Sequence, residues 1–115
     1  MGPFSLRAMQ KEDATFLAEM SGTSVEVQSK WIEEMLGKKM FIGEFEGKAV
    51  SWGAIDEGNE LRWVVTPDER KKGYGLLTGK ELLRRAGGGC FARIRRDNAA
   101  SIRIAEKLGI CIRWI

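Results

Sequence analysis

Histidine is absent from all 115 residues, cysteine and proline occur twice each, and tyrosine once. With no imidazole and only two sulfurs, a zinc site built from the usual nitrogen and sulfur donors is not expected. Any proton transfer near neutral pH must then fall to a carboxylate or to ordered water. No apolar run approaches the roughly 20 residues of a membrane-spanning helix. The opening MGPFSLRAMQKED has neither the basic start nor the apolar stretch of a signal peptide. These absences lead to the expectation of a cytoplasmic chain. Cys90 and Cys111, both in apolar strand-like surroundings, are expected there as reduced, buried thiols.

Apolar residues make up 43% of the chain and charged residues 30%, ordinary for one compact domain spanning 1–115. The net charge of +3 hides a division: −5 through Glu60 and +8 from Leu61 onward. Such a split suits one half that holds an anion and another that tolerates a cation, although solvated faces alone could produce it.

The periodicities give an ordered set of elements. FSLRAM alternates as a first strand, and KEDATFLAEMSG reads as a helix with Phe16, Leu17 and Met20 on one face. Thr23 and Glu26 have capping-box spacing ahead of a helix whose stripe is Val27, Trp31 and Met35, stopped at Gly37. MFIGEF, KAVSWGAI and ELRWVV are three antiparallel strands, the first two joined at Glu46-Gly47. GYGLLTGKELLRRA is a helix ended by Gly87-Gly88-Gly89. CFARIRR, NAASIRIAEKLG and ICIRWI follow as strand, helix and strand. The order β-α-α-β-β-β-α-β-α-β predicts an α+β fold, a three-layer α/β/α arrangement around a mixed, mostly antiparallel sheet of about six strands.

The segment RKKGYG, just before the third helix, is the sharpest local feature. Three cations precede a helix start whose dipole favours negative charge. A dinucleotide fingerprint fails, because Gly73-Tyr74-Gly75 is followed by Leu76, Leu77 and Thr78. A Walker loop fails as well, because Gly79-Lys80 is followed by Glu81 and preceded at the fifth position by Tyr74. What remains is a cationic turn with bare backbone at a helix N-terminus, an arrangement that holds anions. Arg70, Lys71 and Lys72 add charge-assisted contacts. Gly79 is expected to pack closely on the sheet.

VTPDERKKGYG resembles the acetyl-CoA loop of the GCN5-related N-acetyltransferase (GNAT) superfamily, written V-x-P-x-x-R/Q-x-x-G-x-G/A. Val65, Pro67, Arg70, Gly73 and Gly75 fall on that pattern. DNAASIRIAEKLGI resembles the second cofactor motif of the branch that contains the ribosomal-protein N-terminal acetyltransferases, through Asn98, Ser101, Arg103, Lys107 and Gly109. The resemblance covers almost the whole chain and implies the anion: the pyrophosphate of coenzyme A. Main-chain N–H groups from about Lys71 through Gly73 and Tyr74 to Gly75 would hold it, with Arg70 and Lys72 nearby. Val64 and Val65 would pair their main chain with the pantetheine arm, and Asn98 or Ser101 would touch the cofactor. On residue chemistry alone, Asn98 is a helix N-cap bonding near Ser101.

The resemblance implies direct attack of a primary amine on the acetyl thioester, the acceptor being a protein N-terminus, a lysine or a small polyamine-like molecule. An amine with a pKa of about 10.4 needs a proton acceptor near neutrality. Glu60, at the start of the fourth strand, is the first candidate, with Asp56 and Glu57 behind it. A main-chain N–H near Val65 would polarise the thioester oxygen. Two departures from the pattern stand out. Ala105 occupies the last-helix position where many members carry a tyrosine, and ICIRWI ends where members continue into a seventh strand. A homodimer through the C-terminal strand is the expectation that follows. The alternative is a non-catalytic domain of the same fold that binds coenzyme A or a partner protein. Nucleic-acid binding through Arg93, Arg95, Arg96 and Arg103 is a third possibility, but no nucleic-acid module accompanies them.

Overall fold

At Glu46-Gly47 both backbone φ angles are positive, 51° and 81°, the left-handed pair that a two-residue hairpin requires. That turn sets Phe45 opposite Lys48 and fixes the register of the sheet's longest strands. The structure is a computed structural model, and it describes residues 3–35, 39–65 and 73–115.

Six strands form one sheet in the order β1-β2-β3-β4-β5-β6. They are β1 (Phe4–Ala8), β2 (Lys39–Phe45), β3 (Lys48–Asp56), β4 (Glu60–Val65), β5 (Phe91–Ile94) and β6 (Cys111–Trp114). The first four are antiparallel to one another, whereas β5 runs parallel to β4 and β6 parallel to β5. The helices are α1 (Ala14–Ser21), α2 (Val25–Met35), α3 (Tyr74–Ala86) and α4 (Ala99–Leu108). The element order and the α+β class are those expected, and β1, joined to β2 through α1 and α2, pairs antiparallel beside the three-stranded meander. Gly37, the expected stop after α2, lies outside the described residues.

Strand alternation divides the core between two faces. Met40, Ile42 and Ala54 join Leu17 and Ile32 under α1 and α2. Leu6, Ile55 and Leu61 meet Leu82 of α3 on the other face. Ala92 and Ile94 of β5 carry the fully buried Ala105 of α4. A buried pair of hydroxyls ties α3 to the sheet: Ser51 and Thr78 oxygens are 2.7 Å apart, and Thr78 Oγ1 donates to the Tyr74 carbonyl at 2.7 Å.

Several local details differ from expectation. KEDATFLAEMSG begins as a 3₁₀ turn over Lys11–Asp13 before α1 proper. The cap of α2 is Ser24, whose Oγ accepts from the Val27 N–H at 3.2 Å, while Thr23 bonds the Ser21 hydroxyl and the Gln28 amide. Thr23 lies one residue too early to reach the helix. Cys90 is buried, but Cys111 is exposed, on the strand that is the sheet's edge among the described residues. Among the described residues, no helix is long and apolar enough to cross a membrane.

The entry to α1 is held by charge. Arg7 donates to both oxygens of the buried Asp13 at 2.9 and 2.7 Å and to Glu44 at 2.9 Å, and the Gln10 N–H donates to Asp13 at 2.7 Å. Burial pushes the Asp13 carboxyl up, but the Arg7 bonds, the Gln10 N–H and the Arg7 charge outweigh it and hold it below the usual range. The folded pKa is therefore depressed, and the stability it contributes is present above the unfolded value of about 3.9. It is lost as pH falls through the folded value. Asp13→Asn is expected to reduce unfolding free energy by about 1.5–3 kcal/mol in urea at pH 7. The variant's deficit should shrink on acidification; a deficit that stays constant to pH 2 would contradict this assignment.

Candidate functional site

Strand β4 has two unlike edges. Along one it pairs with β3 throughout, from Glu60 opposite Asp56 to Val65 opposite Ser51. Along the other it meets β5 at a single position, Glu60 opposite Phe91. Beyond Glu60 the strands part, so the β4 main chain on that edge has no registered strand partner among the described residues. Backbone N–H and C=O groups need hydrogen bonds, and this edge offers a row of them.

Trp63 lies where the strands part. Its ring packs against both the Leu61–Leu82 cluster and the Ala92–Ile94–Ala105 cluster. Its Nε1 is buried and has no hydrogen-bond partner among the described residues. A donor left in that state costs about 1–3 kcal/mol, which an acceptor on a ligand would recover.

Helix α3 starts at the open end of this gap. Gly73 is its N-cap residue, left-handed with φ 84°, and no side chain caps the helix. A Cβ at Gly73 would meet nothing within 4 Å, so the glycine serves the backbone angle. No acidic side chain occupies the first turn. The first N–H groups thus lie in the positive end of the helix dipole. At Gly75 a Cβ would come within 2.7 Å of Ile104 Cδ1 and 3.4 Å of Val65 Cγ2. Gly75 therefore brings α3, α4 and the end of β4 together, a reason for glycine that the turn motif alone does not give. At Gly79 a Cβ would stand 2.7 Å from Leu108 Cδ1, so the close packing expected there against the sheet is made against α4.

The remaining expected residues fall around this frame. Tyr74 packs its ring between Phe4 and Phe45, with centroids 6.5 and 5.2 Å away, so only its main chain is turned to the helix start. Asn98 caps α4 by accepting from the Ser101 N–H at 3.2 Å. Val64 and Val65 end β4, Val64 exposed and Val65 half-buried. Pro67, Arg70, Lys71 and Lys72 lie outside the described residues. Glu60 sits at the closed end of the gap, nearly buried, with Arg93 at 3.6 Å and Arg62 at 3.9 Å. Asp56 is engaged by Arg62 at 2.7 Å. The basic surface is also largely occupied: Arg95 pairs with Asp97 at 3.4 Å, and Arg96 lies over the Trp114 ring.

On the opposite face of β4 lies a cavity of about 380 Å³ between the sheet and helices α1 and α2. Leu17, Met20, Val27, Trp31, Trp52 and Val64 line it, with Ser21 and Gln28. Trp31 meets Trp52 edge to face, centroids 5.8 Å apart. Trp31 was legible as part of a helical stripe. Trp52 and Trp63 were missed as site residues; alternation in KAVSWGAI does put Trp52 on the Ala54 face, but nothing local marks that face as hollow.

Many solved structures share this architecture. The Salmonella typhimurium protein yncA, held to be an acetyltransferase and solved with its cofactor acetyl-CoA, is 22% identical over 94% of this chain and 79% of its own, with a TM-score of 0.73. A ribosomal-protein-alanine N-acetyltransferase from Brucella melitensis is 23% identical over 91% and 83%, with a TM-score of 0.73. Mutant forms of the spermidine/spermine N-acetyltransferase SpeG from Vibrio cholerae are 13% identical over 93% and 78%, with a TM-score of 0.79. No protein-family model and no curated protein matches the sequence. The fold is that of the GNAT acetyltransferases.

Proposed function

We propose that this protein is an acetyl-CoA-dependent N-acetyltransferase acting on a primary amine, in the cytoplasm and without a metal. The observation that carries the reading is the parted β4–β5 pair leading to the uncapped, left-handed start of α3. A long ligand with amide groups in its middle and a pyrophosphate at one end fits that geometry. The amides match the unpaired β4 edge at Val64 and Val65 and the orphan Trp63 Nε1. The pyrophosphate matches the N–H groups of Gly73, Tyr74 and Gly75, with Arg70, Lys71 and Lys72 supplying positive charge. Asn98 and Ser101, at the start of α4, are the further cofactor contacts. The likeness to named acetyltransferases supports the same reading.

Acetyl-CoA, when bound, supplies an activated thioester. The amine nitrogen bonds to the carbonyl carbon as the carbon–sulfur bond breaks, coenzyme A leaves as its thiolate, and the amine's proton passes to a base. A β4 main-chain N–H near Val65 stabilises charge on the carbonyl oxygen. Glu60 is the proposed acceptor of the proton, reached through water, with Arg62 and Arg93 beside it at 3.9 and 3.6 Å. Solvent protonates the thiolate, since Ala105 brings no hydroxyl. The open edge of β6, with Trp114 and Ile115 exposed, is proposed to be covered by a second copy.

A second reading is a domain of this fold that binds coenzyme A or a partner protein without turnover. Fully buried Ala105 and the two guanidiniums around Glu60 favour it.

Calorimetric titration with acetyl-CoA should give binding that Arg70→Ala/Lys72→Ala weakens by about tenfold or more. Folded protein that takes up no acetyl-CoA would sink the cofactor site. Glu60→Gln should reduce turnover about a hundredfold at pH 7 while binding persists. That deficit should close toward pH 10, where the amine loses its proton unaided; an equal deficit at both pH values would remove Glu60 as the base. Light scattering should report a dimer, and a monomer at high concentration would remove the proposed β6 contact.

A further inference from the structure

The cavity on the α1/α2 face restricts which amines can reach the thioester, an argument that rests on the acetyl-transfer reading above. Val64 joins the two sites: its main chain borders the gap beside β5, and its exposed side chain forms part of the cavity wall. The cavity thus borders β4, where the thioester is proposed to lie, and an acceptor that reacts from it must point its nitrogen toward that strand. Its volume, about 380 Å³, falls in the usual range for a small-molecule site.

None of the described residues lining the cavity carries a charge. Its hydroxyl and its amide N–H groups are engaged with the protein. Ser21 donates to the Leu17 carbonyl at 2.8 Å, and the Gln28 amide donates to Ser21 at 3.1 Å and Thr23 at 2.6 Å. A second ammonium group entering this space would leave water without a carboxylate to meet it. An apolar body gains from the same surroundings in proportion to the area it buries. The rings of Trp31 and Trp52 stand at 67°, leaving a corner that a third ring can enter in edge-to-face or offset contact.

We infer that the acceptor is a primary amine carried on an aromatic body, of which an arylalkylamine is the simplest form, and that Trp31 and Trp52 determine this specificity. The spermidine/spermine enzyme of the same fold acts on molecules of the opposite character, with charge along their length.

Release of free thiol from acetyl-CoA by the full chain tests this with tryptamine, phenethylamine and spermidine as acceptors. The kcat/KM for tryptamine should exceed that for spermidine by about tenfold or more, and Trp52→Ala should remove about tenfold through KM. Acetyl-CoA affinity, measured by calorimetry on the same samples, should not change in that variant. Should Trp52→Ala fail to fold, Val27→Glu provides the same comparison, because Val27 is 57% exposed at the cavity rim. Its new carboxylate should move the tryptamine-to-spermidine ratio about tenfold toward spermidine.

Spermidine used as well as tryptamine, no turnover with either arylalkylamine, or a ratio unmoved by the folded variant would each overturn the inference. If acetyl-CoA still binds in those cases, only the acceptor assignment falls. If acetyl-CoA does not bind, the acetyl-transfer reading falls with it.

Discussion

A parallel strand pair held at one register position is the constraint on which this molecule's geometry depends. Glu60 meets Phe91 and, among the described residues, β4 and β5 are paired nowhere beyond it, although β5 and β6 remain in register over four positions. Two helices meet above the split, and at Gly75 a Cβ would press on the end of the Ile104 side chain between them. Trp63 fills the space between the two small clusters on that face.

Charge is arranged around the same strand. Glu60 and Asp56, adjacent to the closed end, sit with Arg62 and Arg93. The helix start at the open end has no acidic neighbour in its first turn. An elongated anion bound as proposed would meet the positive helix end at one extreme of the strand and compensated charge at the other. The acidic and basic halves seen in the sequence meet along β4, which begins at their boundary.

What could be read from sequence was whatever depends on short-range backbone chemistry. Glu46-Gly47 announces a hairpin because both positions must turn left-handed, and Asn98 announces a cap because its oxygen reaches three residues ahead. Gly73 falls in the same class, and with it the location of α3. The missed features depend on distant partners. Whether the Trp63 indole finds a partner among the described residues, and whether Trp52 lines a cavity, depend on how elements distant in sequence pack. The cap of α2 is Ser24 and not Thr23 because the helix starts one residue later than the capping-box spacing implied, leaving the threonine hydroxyl to Gln28 and Ser21. Cys111 reads as buried from its apolar neighbours, yet edge position decides its exposure.

The hydroxyl pair beneath α3 has a consequence for how an anion is received. Thr78 has one proton and gives it to the Tyr74 carbonyl, so Ser51 must be the donor in the Ser51–Thr78 bond. The first turn of α3 is thereby latched to the middle of the sheet through a chain of hydroxyls running in one direction. Loosening that turn would strand buried hydroxyls away from water. The start of α3 is accordingly held in place by the fold itself. An anion bound at its N–H groups, as proposed, would spend little free energy on ordering that turn, and more of the contact free energy would remain as affinity.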